Sequence, residues 1–142
     1  MAGIRGKNTK PEIEVRKALH GLSFRFGRTN ARLPGTPDIV LPRWKVAVFV
    51  NGCFWHWHGC HLSKLPASNK DFWLAKLSAN RERDARVLTQ LNAMGWLVVT
   101  IWECALRGSH AEKTFHSEMK GVARWIREEP TEKSVVVTGR DS

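Results

Sequence analysis

The chain has 142 residues, 42% of them apolar, which is enough for one compact domain with a real core and too short for two. Lysine and arginine number 23 against 13 acidic residues, a formal charge of +10, and that excess points to a polyanionic partner, nucleic acid ahead of an anionic membrane surface. No apolar run is long enough to span a bilayer and no basic-then-apolar leader opens the chain, so a soluble cytoplasmic protein with no membrane partner is expected.

Residues 1–8 read as a basic N-terminal arm carrying Arg5 and Lys7. Thr9-Lys10-Pro11-Glu12 then has the form of a capping box, with Thr9 at the N-cap and Glu12 three positions on. The helix it opens would bury Ile13, Val15, Ala18, Leu19 and Leu22. A short strand is expected at Phe24–Phe26, followed by a basic loop over 27–36. Two apolar runs come next, Asp38–Leu41 and Lys45–Val50, and the Pro42-Arg43-Trp44 spacer suits a hairpin. The second run is apolar throughout, as in a central strand covered on both faces.

A loop rich in glycine and histidine fills Asn51–Cys60. From Asp71 to Met94 the residues Leu74, Leu77, Val87, Leu88 and Leu91 recur at helical spacing, and Gly95 is a natural stop. Trp96–Trp102 is another apolar strand. Strand, long helix, strand is a βαβ unit, which predicts a parallel pair. A last helix is expected near 112–128, and a loose tail over 129–142 in which Val135–Thr138 offers an edge strand. The expected fold class is therefore α/β: a single domain over 1–142, with a mixed central sheet flanked by helices.

Cys53-x4-His58-x-Cys60 gathers three zinc-type ligands into eight residues. The remaining cysteine, Cys104, lies just past the second strand of the βαβ unit, where parallel pairing would bring it to the same place. The bland alternative is that the cysteines are small buried apolar residues. His56 and His61 compete with His58 for the imidazole position. Four protein ligands close a zinc site, and closed sites are structural.

Asp38 follows Pro37 at the mouth of the hairpin. Such a carboxylate either caps a turn or binds Mg²⁺, an ion that prefers oxygen ligands. His56 has the ring chemistry for proton transfer near neutrality. The chain also has seven tryptophans and no tyrosine, and rings beside charged or glycine-rich sequence suit stacking on bases.

These residues resemble the very-short-patch repair (Vsr) endonucleases, a branch of the nuclease superfamily named for its Pro-Asp…(Asp/Glu)-x-Lys motif. The matching stretches are Leu33-Pro-Gly-Thr-Pro-Asp-Ile-Val40, Phe49-Val-Asn-Gly-Cys-Phe-Trp-His-Trp-His-Gly-Cys60, Phe72-Trp-Leu-Ala-Lys76, Asn80-Arg-Glu-Arg-Asp84 and Trp102-Glu-Cys-Ala-Leu-Arg-Gly108. The resemblance runs in order from about Asn8 to Trp125. It implies a restriction-endonuclease-like fold and a strand-specific nick 5′ of the thymine in a T·G mismatch, the product of 5-methylcytosine deamination. It implies Mg²⁺ held by Asp38 and the main-chain carbonyl of Val50, and His56 as the catalytic histidine. It implies structural Zn²⁺ at Cys53, His58, Cys60 and Cys104. Glu12 matches an active-site glutamate of the N-terminal helix, with Glu14 as the alternative. Phe54, Trp55 and Trp73 match aromatics that wedge into the duplex, although Trp73 also fits a core position beside Leu77.

The superfamily's second acid and lysine are missing, since the next strand ends Phe49-Val50-Asn51. Position 50 is Val where some members carry Thr, and position 51 is Asn where a His occurs. A monomeric bacterial enzyme is expected, associated with the nucleoid when on DNA and linked functionally to a cytosine-5 DNA methyltransferase and repair proteins. Two other readings compete: a broader-specificity or restriction-like nuclease, and a non-catalytic zinc-stapled DNA-binding module.

Overall fold

In a computed structural model, residues 10–26, 33–60, 64–107, 111–128 and 132–139 are described. Helix α1 spans Lys10–Gly21, strand β1 Ile39–Leu41, β2 Val46–Asn51, α2 Lys70–Ala93, β3 Leu97–Trp102, α3 Ala111–Arg127 and β4 Ser134–Val137. The sheet order is β1-β2-β3-β4. β1 and β2 form the expected antiparallel hairpin, with Ile39 opposite Val48. β2 and β3 are parallel, as the βαβ pattern predicts, with Val46 opposite Leu97 and Asn51 opposite Trp102.

Alternation along the strands sorts the core into two layers. Val46 and Val48 of β2 and Val99 and Ile101 of β3 face α1 and α3, where they meet Val15, Leu19, Met119 and Ile126. Ala47 and Val98 face the other way, toward Leu91 of α2, with Val87 and Leu88 packed alongside. The sheet is thus covered on both sides, which explains the unbroken apolar run of β2. Gly35 marks a close approach of α2. Its φ is +75°, and a Cβ there would sit 2.6 Å from Val87 Cγ1.

Several expectations change. No strand forms at Phe24–Phe26. The Phe24 amide is spent on the Leu19 carbonyl at 3.0 Å, closing the end of α1, and its ring turns inward against Trp44. The Phe24 donor is therefore not available to a ladder. Ile13 and Leu74, both expected in apolar stripes, are exposed. The tail is not loose over its described part, because β4 pairs in parallel with β3 and Val137 is buried. The physical reason is the open edge of β3, whose hydrogen-bonding groups a run of β-branched residues can satisfy. Thr9, the basic arm over 1–8 and residues 27–32 of the basic loop lie outside the described residues.

Leu91 is fully buried between α2 and the sheet. Leu91→Ala is expected to cost about 2–5 kcal/mol, read as a lower urea midpoint, while Val136→Ala on the exposed edge changes stability by less than about 0.5 kcal/mol.

Candidate active site and metal centre

Parallel pairing sets the carboxyl ends of β2 and β3 side by side, the place where open α/β sheets bind ligands. A cavity of about 800 Å³ opens there, and Glu12, Asp38, Val50, His56 and Asp84 are on its wall. Four of these five were candidates from the sequence.

Asp38 enters β1 with its amide donating to the Val48 carbonyl at 3.0 Å. Its carboxylate Oδ2 accepts the Val50 N–H at 2.7 Å, a short charge-assisted bond across the hairpin. The carboxylate and the main chain of residue 50 are therefore fixed against each other. Glu12 lies in the first turn of α1 and is only 8% exposed, with Arg16 Nη2 at 3.3 Å. Glu14 is exposed and is not on the cavity wall, so Glu12 is the glutamate brought to the cavity. Carboxylates and a main-chain oxygen are a hard-donor set of the kind Mg²⁺ takes.

His56 rides on the loop after β2. Its amide donates to the Gly52 carbonyl at 3.1 Å and that of His58 to the Cys53 carbonyl at 2.9 Å, so the loop winds in tight turns. Positive φ at Trp57 and Gly59 then reverses the chain. The His56 Nδ1 lies 2.6 Å from Asp84 Oδ2 on α2. A carboxylate on Nδ1 fixes the ring's orientation and places the proton there, leaving Nε2 as the acceptor.

Sequence alone does not single out Asp84 as a partner of His56, because Arg81, Arg83 and Arg86 around it make it look like one charge in a surface run. A signal was present. Leu77, Asn80, Asp84, Leu88 and Leu91 continue one stripe at three- and four-residue spacing. Asn80 and Asp84 are polar residues in that stripe, where the apolar rule expects leucine. Both reach the same loop, for Asn80 Nδ2 donates to the Trp55 carbonyl at 3.0 Å.

The Sγ atoms of Cys53, Cys60 and Cys104 and a ring nitrogen of His58 all lie within 4.8 Å of one another. Tetrahedral zinc with bonds near 2.3 Å needs thiolate sulfurs about 3.8 Å apart, so the donor set fits a metal ion in number, chemistry and spacing. Trp102 stacks on the His58 ring at 4.0 Å and 6°. The Cys104 amide donates to Cys53 Sγ at 3.4 Å, and Glu103 Oε1 accepts the Cys53 amide at 3.4 Å. Burial pushes the Cys53 thiol far above its usual range, so a thiolate here needs a cation beside it. His56 is not in the cluster, and His61 lies outside the described residues.

The aromatic candidates also meet. Phe54 and Trp55 are 5.1 Å apart, Phe54 and Trp73 5.5 Å, and Trp55 and Trp73 5.9 Å, all edge-to-face. Trp73 is half-buried in this group rather than in the main core, and Trp55 is 39% exposed. Phe72, more exposed still, extends the group at 5.3 Å from Trp73.

The family model described as DNA mismatch endonuclease Vsr matches residues 1–62. The DNA mismatch endonuclease Vsr of Escherichia coli is 43% identical over 108 residues, covering 76% of this chain and 69% of its own. The chain belongs to the Vsr DNA mismatch endonuclease family. The type II nicking enzyme V.XorIIP of Xanthomonas oryzae is 49% identical over 106 residues, 75% of this chain and 78% of its own. V.NmeAIP of Neisseria meningitidis, also named a type II nicking enzyme, is 46% identical over 107 residues, 75% and 76% of the two chains. As a Vsr endonuclease the chain is an enzyme acting on DNA, which sets aside the non-catalytic DNA-binding module. No helix among the described residues is long and apolar enough to cross a membrane.

Removing one cluster ligand should empty the metal centre. Purified wild-type chain is expected to hold about one zinc ion after dialysis and Cys104→Ser close to none, as measured by elemental analysis. Zinc affinity should weaken as pH falls, because each thiol must lose its proton to bind.

Proposed function

We propose that this Vsr endonuclease nicks one strand of duplex DNA 5′ of the thymine in a T·G mismatch, by Mg²⁺-dependent phosphodiester hydrolysis. The observation that carries the reading is the shared cavity wall of Asp38 and His56, with His56 braced by Asp84 at 2.6 Å. The names of the nicking relatives support cleavage of a single strand.

Asp38 and the Val50 carbonyl would hold Mg²⁺, and the ion supplies phosphate polarisation and neutralisation of the charge that develops at phosphorus. The protein's own groups do the rest. Asp38 is kept in place by the Val50 amide. His56 lines the cavity with Nδ1 committed to Asp84, which leaves Nε2 to take a proton from the attacking water. Imidazole thereby replaces the lysine absent from β2. Glu12, paired with Arg16, contributes a further carboxylate to the same wall. Zn²⁺ at Cys53, His58, Cys60 and Cys104 has a structural part, holding the loop that carries His56.

Phe54, Trp55 and Trp73 form the wedge that enters the duplex. Unstacking a base step costs a few kcal/mol, less at a mismatch, so rings of this kind select the lesion through deformability. The +10 charge supplies attraction to the phosphate backbone. The enzyme works as a monomer on double-stranded DNA in the bacterial cytoplasm, downstream of cytosine-5 methylation.

Asp38→Ala and His56→Ala are expected to bind a T·G duplex normally and to nick it about 10²–10⁴-fold more slowly. Full-rate nicking by either variant, in a strand-resolved gel assay, would reject the mechanism. Trp55→Ala should weaken mismatch binding by about 1–3 kcal/mol with little effect on matched DNA. A panel of mismatches in several flanking contexts tests the specificity; equal nicking of all of them would favour the broader nuclease.

A further inference from the structure

The end of β4 reaches the metal cluster. Thr138 Oγ1 lies 3.2 Å from His58 Nε2 and 3.6 Å from Cys104 Sγ. The Gly139 amide donates to that same sulfur at 3.3 Å. The His58 ring turns its other nitrogen, Nδ1, toward Cys104 Sγ at 3.6 Å. Nδ1 is thus the nitrogen on the cluster side, and Nε2 is left to carry the ring proton. A threonine hydroxyl has one proton to give and lone pairs to receive another. With a metal ion on Nδ1 and on the Cys104 sulfur, it would accept Nε2–H from His58 and give its own proton to Cys104 Sγ.

We propose that Thr138 and Gly139 are a clasp that fixes His58 and Cys104 as metal ligands, making the end of β4 part of the metal site. The proposal rests on the reading of the cluster as a resident zinc centre. Three thiolates around a divalent ion leave net negative charge in a buried place, and N–H and O–H donors on sulfur offset it. The Gly139 amide and the Thr138 hydroxyl are two such donors on one sulfur. Histidine ligands are oriented by what their second nitrogen binds, and Thr138 fills that position.

The backbone agrees with this assignment. A Cβ on Gly139 would fall 2.7 Å from the Cys104 carbonyl oxygen and 2.9 Å from its carbonyl carbon. Only glycine lets the amide come this close to Cys104. β4 itself is held by its pairing with β3, Ile101 opposite Val137, and by burial of Val137. The two residues after Val137 are therefore delivered to the cluster by a seated strand.

The test is zinc affinity of the full-length chain, measured by competition with a chromogenic chelator, together with the visible spectrum of the cobalt(II) form. Thr138→Val keeps the shape and removes the hydroxyl. It is expected to bind zinc about 10–100-fold more weakly. Its sulfur-to-cobalt charge-transfer band should move to lower energy, because a sulfur without that proton donor gives up electrons more readily. Thr138→Ser should restore both properties, and Gly139→Ala should weaken zinc binding by steric displacement. Wild-type zinc affinity and an unshifted cobalt band in Thr138→Val would overturn the clasp, as would a loss that Thr138→Ser does not restore. A wild-type chain that takes up no zinc would instead overturn the metal-centre reading itself.

Discussion

The parallel pairing of β2 with β3 is the constraint on which the rest depends. Its register places Asn51 opposite Trp102. Cys53 and Cys104 each lie two residues past those partners, so the ladder itself delivers two ligands from distant parts of the chain to one spot. A slip of one residue would turn each side chain of the strand to the wrong face and separate them. The register is secure because both faces of β2 and β3 are buried, between α1 and α3 on one side and α2 on the other.

The Cys/His cluster and the cavity share the loop that follows β2. His56 sits between Cys53 and His58 in sequence, so fixing those two residues fixes the turn that carries it. The loop is gripped again from α2, where Asn80 holds the Trp55 carbonyl and Asp84 holds the His56 ring. A histidine held from both sides would lose little orientational freedom in the proposed proton transfer, which is how position becomes rate. The aromatic group grows from the same loop and the same helix, through Trp55 and Trp73. On the proposed reading, lesion contact and bond cleavage would be built on the same loop and helix.

Much of this arrangement is legible in the sequence because its signals are local or periodic. The Cys53–Cys60 spacing gathers ligands of the kind that hold a metal ion, and the βαβ pattern brings Cys104 to them. The hairpin and α2 follow from apolar periodicity and from Pro and Gly punctuation. What the sequence hides is pairwise and tertiary. Asp84 reads as one more charge in Arg-Glu-Arg-Asp until α2 is laid against the loop. Thr138 and Gly139 lie in a tail with weak patterning, and only the open edge of β3 gives that tail a place. Phe24 looks like a strand residue because aromatic side chains favour strands, yet the closure of α1 takes its amide first. Glu12 and Glu14 are separated by helix geometry alone, since residues two apart point to different sides.

On the proposed reading the two metals do different work: zinc would hold the loop and Mg²⁺ would support hydrolysis at Asp38. The most direct test is nicking of a T·G duplex by zinc-loaded enzyme as Mg²⁺ is titrated from zero, with zinc content followed in the same samples. Cleavage that is absent with zinc alone, and that rises with Mg²⁺ while zinc stays constant, is the predicted result. Full-rate nicking by the zinc-loaded enzyme in the absence of Mg²⁺ would contradict it.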